Sequence, residues 1–354
     1  MSATVSAQRG RGAASNPTNR FERITLERDA DWNPEEDPAP RTQFLRDLSQ
    51  TAVTYNDSPD LGFGASVNPY RGCEHGCIYC YARPTHEFLG FSAGVDFESK
   101  IMVKENLPAL LRKELASPKW KPQVVAMSGV TDCYQPVERK LKLTRGCLEV
   151  LAECRNPVGI ITKNFLVTRD VDLLQELARH HAVSVCVSIT TLDSDLAREM
   201  EPRTSSPRQR LTAIEILANA GVHVGVNVAP IIPGLTDHEI LQIVEAAAGA
   251  GAKFAHYTIV RLPYAVKDLF AQWLTLHAPG KSEKVLNRIR AMRDGKLNNS
   301  NWGERMKGNG IFADQIAQTF AVACRKAKFA DLDRFELSTA SFRRPENAQL
   351  RLSI

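Results

Sequence analysis

The chain has 354 residues, 43% hydrophobic and 24% charged, close to globular averages and unlike a collagenous, fibrous or wholly disordered protein. The longest uncharged run, between Ile216 and Asp237, holds His223, two Asn, two Pro and three Gly, which argues against a membrane span, and no apolar core follows the first arginines as it would in a secretion signal. A cytoplasmic protein with no membrane partner is therefore expected; its formal charge of +5 arises C-terminally, where residues 281–354 carry 15 Lys or Arg against 8 Asp or Glu.

Residues 1–44 join Arg9-Gly10-Arg11-Gly12 to the acidic residues Asp29, Asp31, Glu35, Glu36 and Asp37, interrupted by Pro34, Pro38 and Pro40. This composition predicts a largely disordered extension, either a solvated arm or a contact for a partner. Residues 45–277 are expected to form the core domain, and from residue 65 onward short β-branched runs alternate with helical periodicity. Strands are predicted at 66–70, 124–127, 158–161, 183–189, 223–229 and 254–260. Helices are predicted at 104–116, 138–153, 170–180, 208–220, 238–250 and 266–276. Six successive βα units predict an α/β parallel sheet, either open and doubly wound or curved into a partial barrel. Ser206-Pro207 and Gly221 delimit one helix, and Thr236 or Asp237 is expected to cap the next. Residues 278–354 predict a basic C-terminal helical region, with helices at 281–292 and 311–327 around a Gly- and Asn-rich stretch. It forms either a subdomain or a lid over the open side of a barrel, and its cations either meet a phosphate-rich partner or decorate a solvated helix face.

Side chains at the C-terminal ends of parallel strands converge on one mouth, so those ends carry the candidates for chemistry. Three of the eight cysteines cluster there as Cys73, Cys77 and Cys80 in the run Asn68-Pro69-Tyr70-Arg71-Gly72-Cys73-Glu74-His75-Gly76-Cys77-Ile78-Tyr79-Cys80-Tyr81. The other five are dispersed, which does not suit a disulfide framework. Three thiolates on one loop can bind three irons of a cubane cluster and leave the fourth iron open, and Gly72 and Gly76 let the backbone fold tightly around it. The alternative is a structural zinc with His75 or His86 as fourth ligand, in a non-catalytic scaffold.

With Tyr79 just before the third cysteine, this C-x3-C-x2-C loop resembles the signature of the radical S-adenosylmethionine (SAM) superfamily. The run from Asn68 to Gly90 is similar to an uncharacterised bacterial group within it, related to spore photoproduct lyase. The resemblance implies a partial (β/α)6 TIM-like barrel and a [4Fe-4S] cluster on Cys73, Cys77 and Cys80, with SAM at the open iron. It also implies a reducing partner such as flavodoxin or ferredoxin. Reductive cleavage would then give methionine and a 5′-deoxyadenosyl radical that takes hydrogen from a substrate the sequence does not name.

The same resemblance implies cofactor contacts. Tyr79 lies beside the cluster, and Ser128, Gly129 and Asp132 replace the usual Gly-Gly-Glu that meets the methionine ammonium. Lys163 is expected near the cofactor's charged end, Ser188 at the ribose, and Asn227 by the adenine, whose pocket the backbone of Arg261-Leu262-Pro263 completes. Arg203 either grips a carboxylate or forms a surface ion pair. Cys133 falls near the hydrogen-returning cysteine of photoproduct lyases, although alignment on Asp132 places that cysteine at Gly129. Cys133 is thus a hydrogen donor or a buried inert thiol, and repair or modification of DNA or RNA is the narrower function.

Overall fold

The computed structural model describes residues 7–22, 40–329 and 335–345. Within these residues the strands are β1 (Gln43–Arg46), β2 (Val53–Tyr55), β3 (Ala65–Val67), β4 (Tyr70–Arg71) and β5 (Lys100–Val103), followed by β6 (Val125–Met127), β7 (Val158–Thr162), β8 (Val183–Ser188), β9 (His223–Ile231) and β10 (Ala255–Ile259). The main sheet runs β10-β9-β8-β7-β6-β3-β2; β3 and β6 to β10 are parallel, and β2 joins β3 antiparallel. All six strands expected from the sequence are present, to within a few residues. β10 and β2 remain the edges of this sheet, so the barrel is partial. Tyr70 belongs to a second sheet, β1-β5-β4, whose other members carry no periodic signal.

The strands form because Val and Ile recur at every second position, and the register fixes what they face. Val183, Val185 and Val187 pack with Ile214 and Leu217 in the core between sheet and helices. The alternate residues point into the barrel. Across the sheet they form one row of Ser66, Ala126, Gly159, Ser184 and His223, a second of Ile161, Cys186 and Gly225, and a third of Ser188, Asn227 and His256. Small side chains leave the interior hollow, and Ile161 stays 40% exposed in a central strand. His223, stacked on Phe254 and Phe335 at 4.8 and 3.7 Å, fills the floor.

Helices Leu107–Ala116, Leu143–Cys154, Val171–Ala178, Pro207–Asn219, Ile240–Gly249 and Val266–His277 follow the strands in turn. Ser206 and Gln209 complete a capping box at the start of Pro207–Asn219. The helix expected at 138–153 is broken at Lys142 (φ 52°), because buried Glu138 folds back to accept the Thr144 N–H at 3.0 Å and cap a new helix. Thr236 does not cap Ile240–Gly249; its hydroxyl accepts the Ile232 N–H at 3.0 Å instead. The helix Ser194–Met200, capped by Asp193, is too short to give a periodic signal in the sequence.

Residues 7–22 contain no helix or strand, yet they are packed rather than loose: Ala13 is fully buried beside Ile78 and Tyr79. The acidic stretch lies outside the described residues. In the C-terminal region the helix Ile311–Lys326 packs on Ile240–Gly249, and the segment before it spans the open side of the barrel. Met306 accepts the Ile259 N–H at 2.9 Å, while the Gly303 N–H and Arg305 Nε reach Asp60, in the loop before β3, at 2.7 and 2.6 Å. No helix among the described residues is long and apolar enough to cross a membrane.

Candidate active site

The cysteine loop leaves β4 at the C-terminal mouth and is held from both sides. Gly72 (φ 82°) and Gly76 (φ 68°) take left-handed backbone, and a Cβ on either would stand 2.8 Å from His86 Cε1 or Glu98 Oε2. On one side the fully buried Arg83 donates to the carbonyls of Gly76 (3.1 Å), Cys77 (3.0 Å) and Gly94 (2.9 Å) and pairs with Glu98. Glu98 also accepts the N–H groups of Gly12 (3.0 Å) and Ala13 (2.9 Å), which seats the N-terminal segment on the loop. On the other side Gln135 accepts the Glu74 N–H at 2.8 Å and donates to the Gly72 carbonyl at 3.1 Å.

Cys73, Cys77 and Cys80 are free thiols, and burial pushes all three above the ordinary cysteine range. Ligation by a cation reverses that preference by holding the thiolate. Among the described residues no three His, Cys, Asp or Glu side chains close on a point that one ion could occupy. The histidines considered for zinc are engaged: His75 meets Asp132 at 3.4 Å and Asn164 at 3.0 Å, and His86 bonds the Lys100 carbonyl at 2.8 Å. A donor set of three free thiols on one short loop fits the protein ligands of an iron–sulfur cluster.

Behind the loop, a buried network fixes Tyr79 and Lys163. The Tyr79 hydroxyl donates to Glu201, which pairs with Arg210 and accepts from Thr190 at 2.6 Å. Lys163 Nζ donates to Thr190 (3.0 Å) and the Ala229 carbonyl (2.8 Å), lies 3.1 Å from Glu201 and stands 5.7 Å over the Tyr79 ring. Burial, then the charge of Arg210, lowers Lys163 to about 7. Burial raises Glu201 despite Arg210.

Ser188 and Asn227 pair across β8 and β9 on the inner face, and the Asn227 Oδ1 is buried with no partner among the described residues. A buried acceptor left without a partner on the inner face is one that a polar ligand can satisfy. Ser128 and Asp132 are already engaged. Ser128 Oγ accepts the Cys133 N–H at 2.9 Å, and Asp132 accepts from Thr162 (2.8 Å) and the N–H groups of Lys163 (2.8 Å) and Tyr134 (2.9 Å). Burial opposes the Asp132 charge, but His75 and these donors hold its carboxyl below the usual range. Gly129 offers its carbonyl to Tyr81 at 3.0 Å.

Two expected residues are placed elsewhere. Arg203 turns to Gly10 O (3.1 Å), Thr42 (3.3 Å) and Glu74 (3.4 Å), which makes it an ion-pair partner of the cysteine loop, tied also to the N-terminal segment, rather than a free grip for a ligand carboxylate. Cys133 has no exposed surface and belongs to the core with Tyr134, Cys147 and Leu148, because the turn at Ser128 (φ 82°) sends it outward. The thiol on the inner face is Cys186, which burial pushes up to about 12. The alternation Val-Ser-Val-Cys-Val-Ser carries that signal. Glu98, Gln135 and Glu201 give none, because nothing in sequence marks a loop carboxylate or amide that the fold will bury.

The model of the radical SAM superfamily matches residues 67–247, just over half the chain. An uncharacterised protein of Mycobacterium tuberculosis is 40% identical over 221 residues, covering 62% of this chain and 65% of that relative, so the match spans less than two thirds of it. A radical SAM Nα-GlyT isomerase of Pseudomonas phage M6 is 23% identical over 187 residues, 52% of this chain and 37% of the relative. Among solved structures, a cysteine-to-serine mutant of spore photoproduct lyase superposes with a TM-score of 0.58 at 17% identity, covering 80% of this chain and 79% of that one. The same lyase complexed with a dinucleoside spore photoproduct gives 0.57 at 16% identity, with the same coverage. At that identity the likeness speaks for the fold, an open parallel barrel. The superfamily model, matched over the span that carries the three-cysteine loop and most of the parallel strands, shows that the chain belongs to the radical SAM superfamily, whose enzymes use S-adenosylmethionine and an iron–sulfur cluster.

Proposed function

We propose that this chain reductively cleaves S-adenosylmethionine at a [4Fe-4S] cluster carried by Cys73, Cys77 and Cys80. When bound, the cluster supplies one electron to the sulfonium, and the 5′-deoxyadenosyl radical released takes hydrogen from the substrate. The electron comes from a one-electron donor of the flavodoxin or ferredoxin class, in the cytoplasm. The protein's part is to hold and shield. Arg83 and Gln135 fix the loop carbonyls, Tyr79 and Lys163 are locked by Glu201, and Ser188 with Asn227 presents a hydroxyl and an unpaired carbonyl to the ribose and base.

The observation that carries this reading is the single loop of three free thiols within the span that the superfamily model matches. Anaerobically reconstituted chain is expected to be brown, to bind about four irons and to form 5′-deoxyadenosine with dithionite. Alanine at any of Cys73, Cys77 or Cys80 abolishes that product. A colourless protein holding only zinc would instead support the non-catalytic scaffold.

A nucleic-acid substrate is the narrower reading, favoured by the cationic excess of residues 281–354. With Cys133 in the core, the residue that tied the chain to photoproduct repair no longer supports that particular reaction. Retention on single-stranded DNA or RNA that falls steeply with salt supports modification of a nucleic acid, and no retention at low salt rejects it.

A further inference from the structure

Opposite the cysteine loop, the last strand delivers Arg261 to the mouth. Its guanidinium lies 5.3 Å over the ring of Tyr81, the residue that follows Cys80, and Tyr81 is 48% exposed. Because the Tyr81 hydroxyl donates to Gly129, this stack reaches from the loops of the first strands to the end of β10. Among the described residues Arg261 has no carboxylate partner. Its Nε is buried without an acceptor, and Nη1 meets only the Met306 sulfur at 3.6 Å.

The surroundings deepen the imbalance. Arg305 holds Asp60 (2.6 Å) and Ser58 (2.5 Å) and lies 4.3 Å over Trp302, itself 53% exposed. Arg293 is pinned by the carbonyls of Val260 (2.9 Å) and Glu304 (3.2 Å). Glu304 turns its carboxylate to Asn299 (2.9 Å) and Asn301 (3.2 Å), leaving Asp60 as the one carboxylate paired within this group. Burial, then Arg305, lowers Arg261; burial, then Arg261, lowers Arg293 to about 10. Converging guanidiniums with one carboxylate destabilise the free protein and await an anion.

We propose that Arg261, stacked on Tyr81 at the mouth and lacking an anionic partner, anchors a phosphate group of the substrate. The inference rests on the reading of this mouth as the active site, and it identifies the substrate class as a phosphate ester. A guanidinium fork matches phosphate oxygens, and the exposed rings of Tyr81 and Trp302 flank it for a ring-bearing ester.

The test titrates the full-length chain calorimetrically with inorganic phosphate, thymidine 5′-monophosphate and a single-stranded thymidine octanucleotide. Wild type is expected to bind at one site, and Arg261→Gln to bind roughly tenfold more weakly, as expected on losing charge-assisted hydrogen bonds. Arg179→Gln, remote and paired with Glu176, should bind as wild type does. Equal binding of the two nucleotides points to a small ester; tighter, steeply salt-dependent octanucleotide binding points to a phosphodiester strand. A structural role for Arg261 predicts a lower unfolding midpoint for Arg261→Gln without anion, whereas release of like charge predicts an equal or higher one. Either no phosphate binding by wild type at millimolar concentration, or equal binding by wild type and Arg261→Gln, overturns the proposal. The titration needs neither SAM nor reductant, so its failure and failure of SAM cleavage are read separately.

Discussion

Gly12 tests the seat of the cysteine loop most directly. A Cβ at this position would stand 1.8 Å from the Gly76 carbonyl oxygen, inside any van der Waals contact. That oxygen cannot swing aside freely, because Arg83 donates to it at 3.1 Å. In Gly12→Ala the N-terminal segment must therefore lift, and the N–H groups of Gly12 and Ala13 lose the buried Glu98 carboxylate they meet at 3.0 and 2.9 Å. Each hydrogen bond to a charged group contributes about 1.5 kcal/mol, so the loss is about 3 kcal/mol. With an unfolding entropy of about 2.1 cal/mol/K per residue, a chain of this length should unfold about 4 °C lower. The assay is thermal unfolding of the metal-free chain by circular dichroism, with Gly62→Ala, where a Cβ meets nothing within 4 Å, as the control. Reconstituted Gly12→Ala should also lose iron faster in air, since the segment covers one side of the loop. Unfolding within about a degree of wild type, with equal iron retention, would refute the seat as described.

His86 gives a pH signature. Burial holds it near 4, below the 6.5 of a free imidazole, so between those values the unfolded chain binds a proton that the folded chain refuses. Stability present above pH 6.5 is lost as pH falls toward 4, about 3 kcal/mol in all, and His86→Gln should flatten that part of a pH series of unfolding midpoints. An unchanged slope would assign the loss to other groups. Ser206→Ala removes the capping box and should cost about 1 kcal/mol, read as a lower denaturant midpoint at constant slope. A midpoint equal to wild type would mean that Gln209 caps without it. The alanine variants of Cys73, Cys77 and Cys80 and the Arg261→Gln titration complete the set.

Strands β7, β8 and β9 are legible in the sequence because each is a β-branched run buried on one face by helices, a local pattern that tertiary context reinforces. β1, β2 and β5 are not, because they stand outside the βα alternation: β1 and β5 pair with each other in the second sheet, and β2 adds an antiparallel edge to β3. The cysteine ligands are legible because their spacing is itself the chemistry. Their supports are hidden, since Arg11, Glu98 and Arg83 read as ordinary surface charges until the fold buries them against one another. The extension misleads for the same reason. Glycine and arginine at positions 9–12 resemble a disordered arm in composition, but Gly12 is required for a close backbone approach and Arg11 donates to the Glu98 carbonyl at 2.6 Å.

The placement of charge along the mouth follows a division of labour that composition conceals. On the side of the cysteine loop, the buried arginines and lysine named above each have an opposite partner: Arg83 with Glu98, and Lys163 and Arg210 with Glu201. Such pairs cost desolvation but fix geometry, which a loop carrying three ligands needs. At the end of β10 the balance is broken, with Arg261 unpaired among the described residues beside Arg293 and Arg305. A site whose groups are mutually satisfied can hold a resident cofactor rigidly, whereas one left short of an anion gains from a ligand that comes and goes. The weak net charge of +5 therefore says little, and the location of the unpaired guanidinium says where a substrate would be recognised.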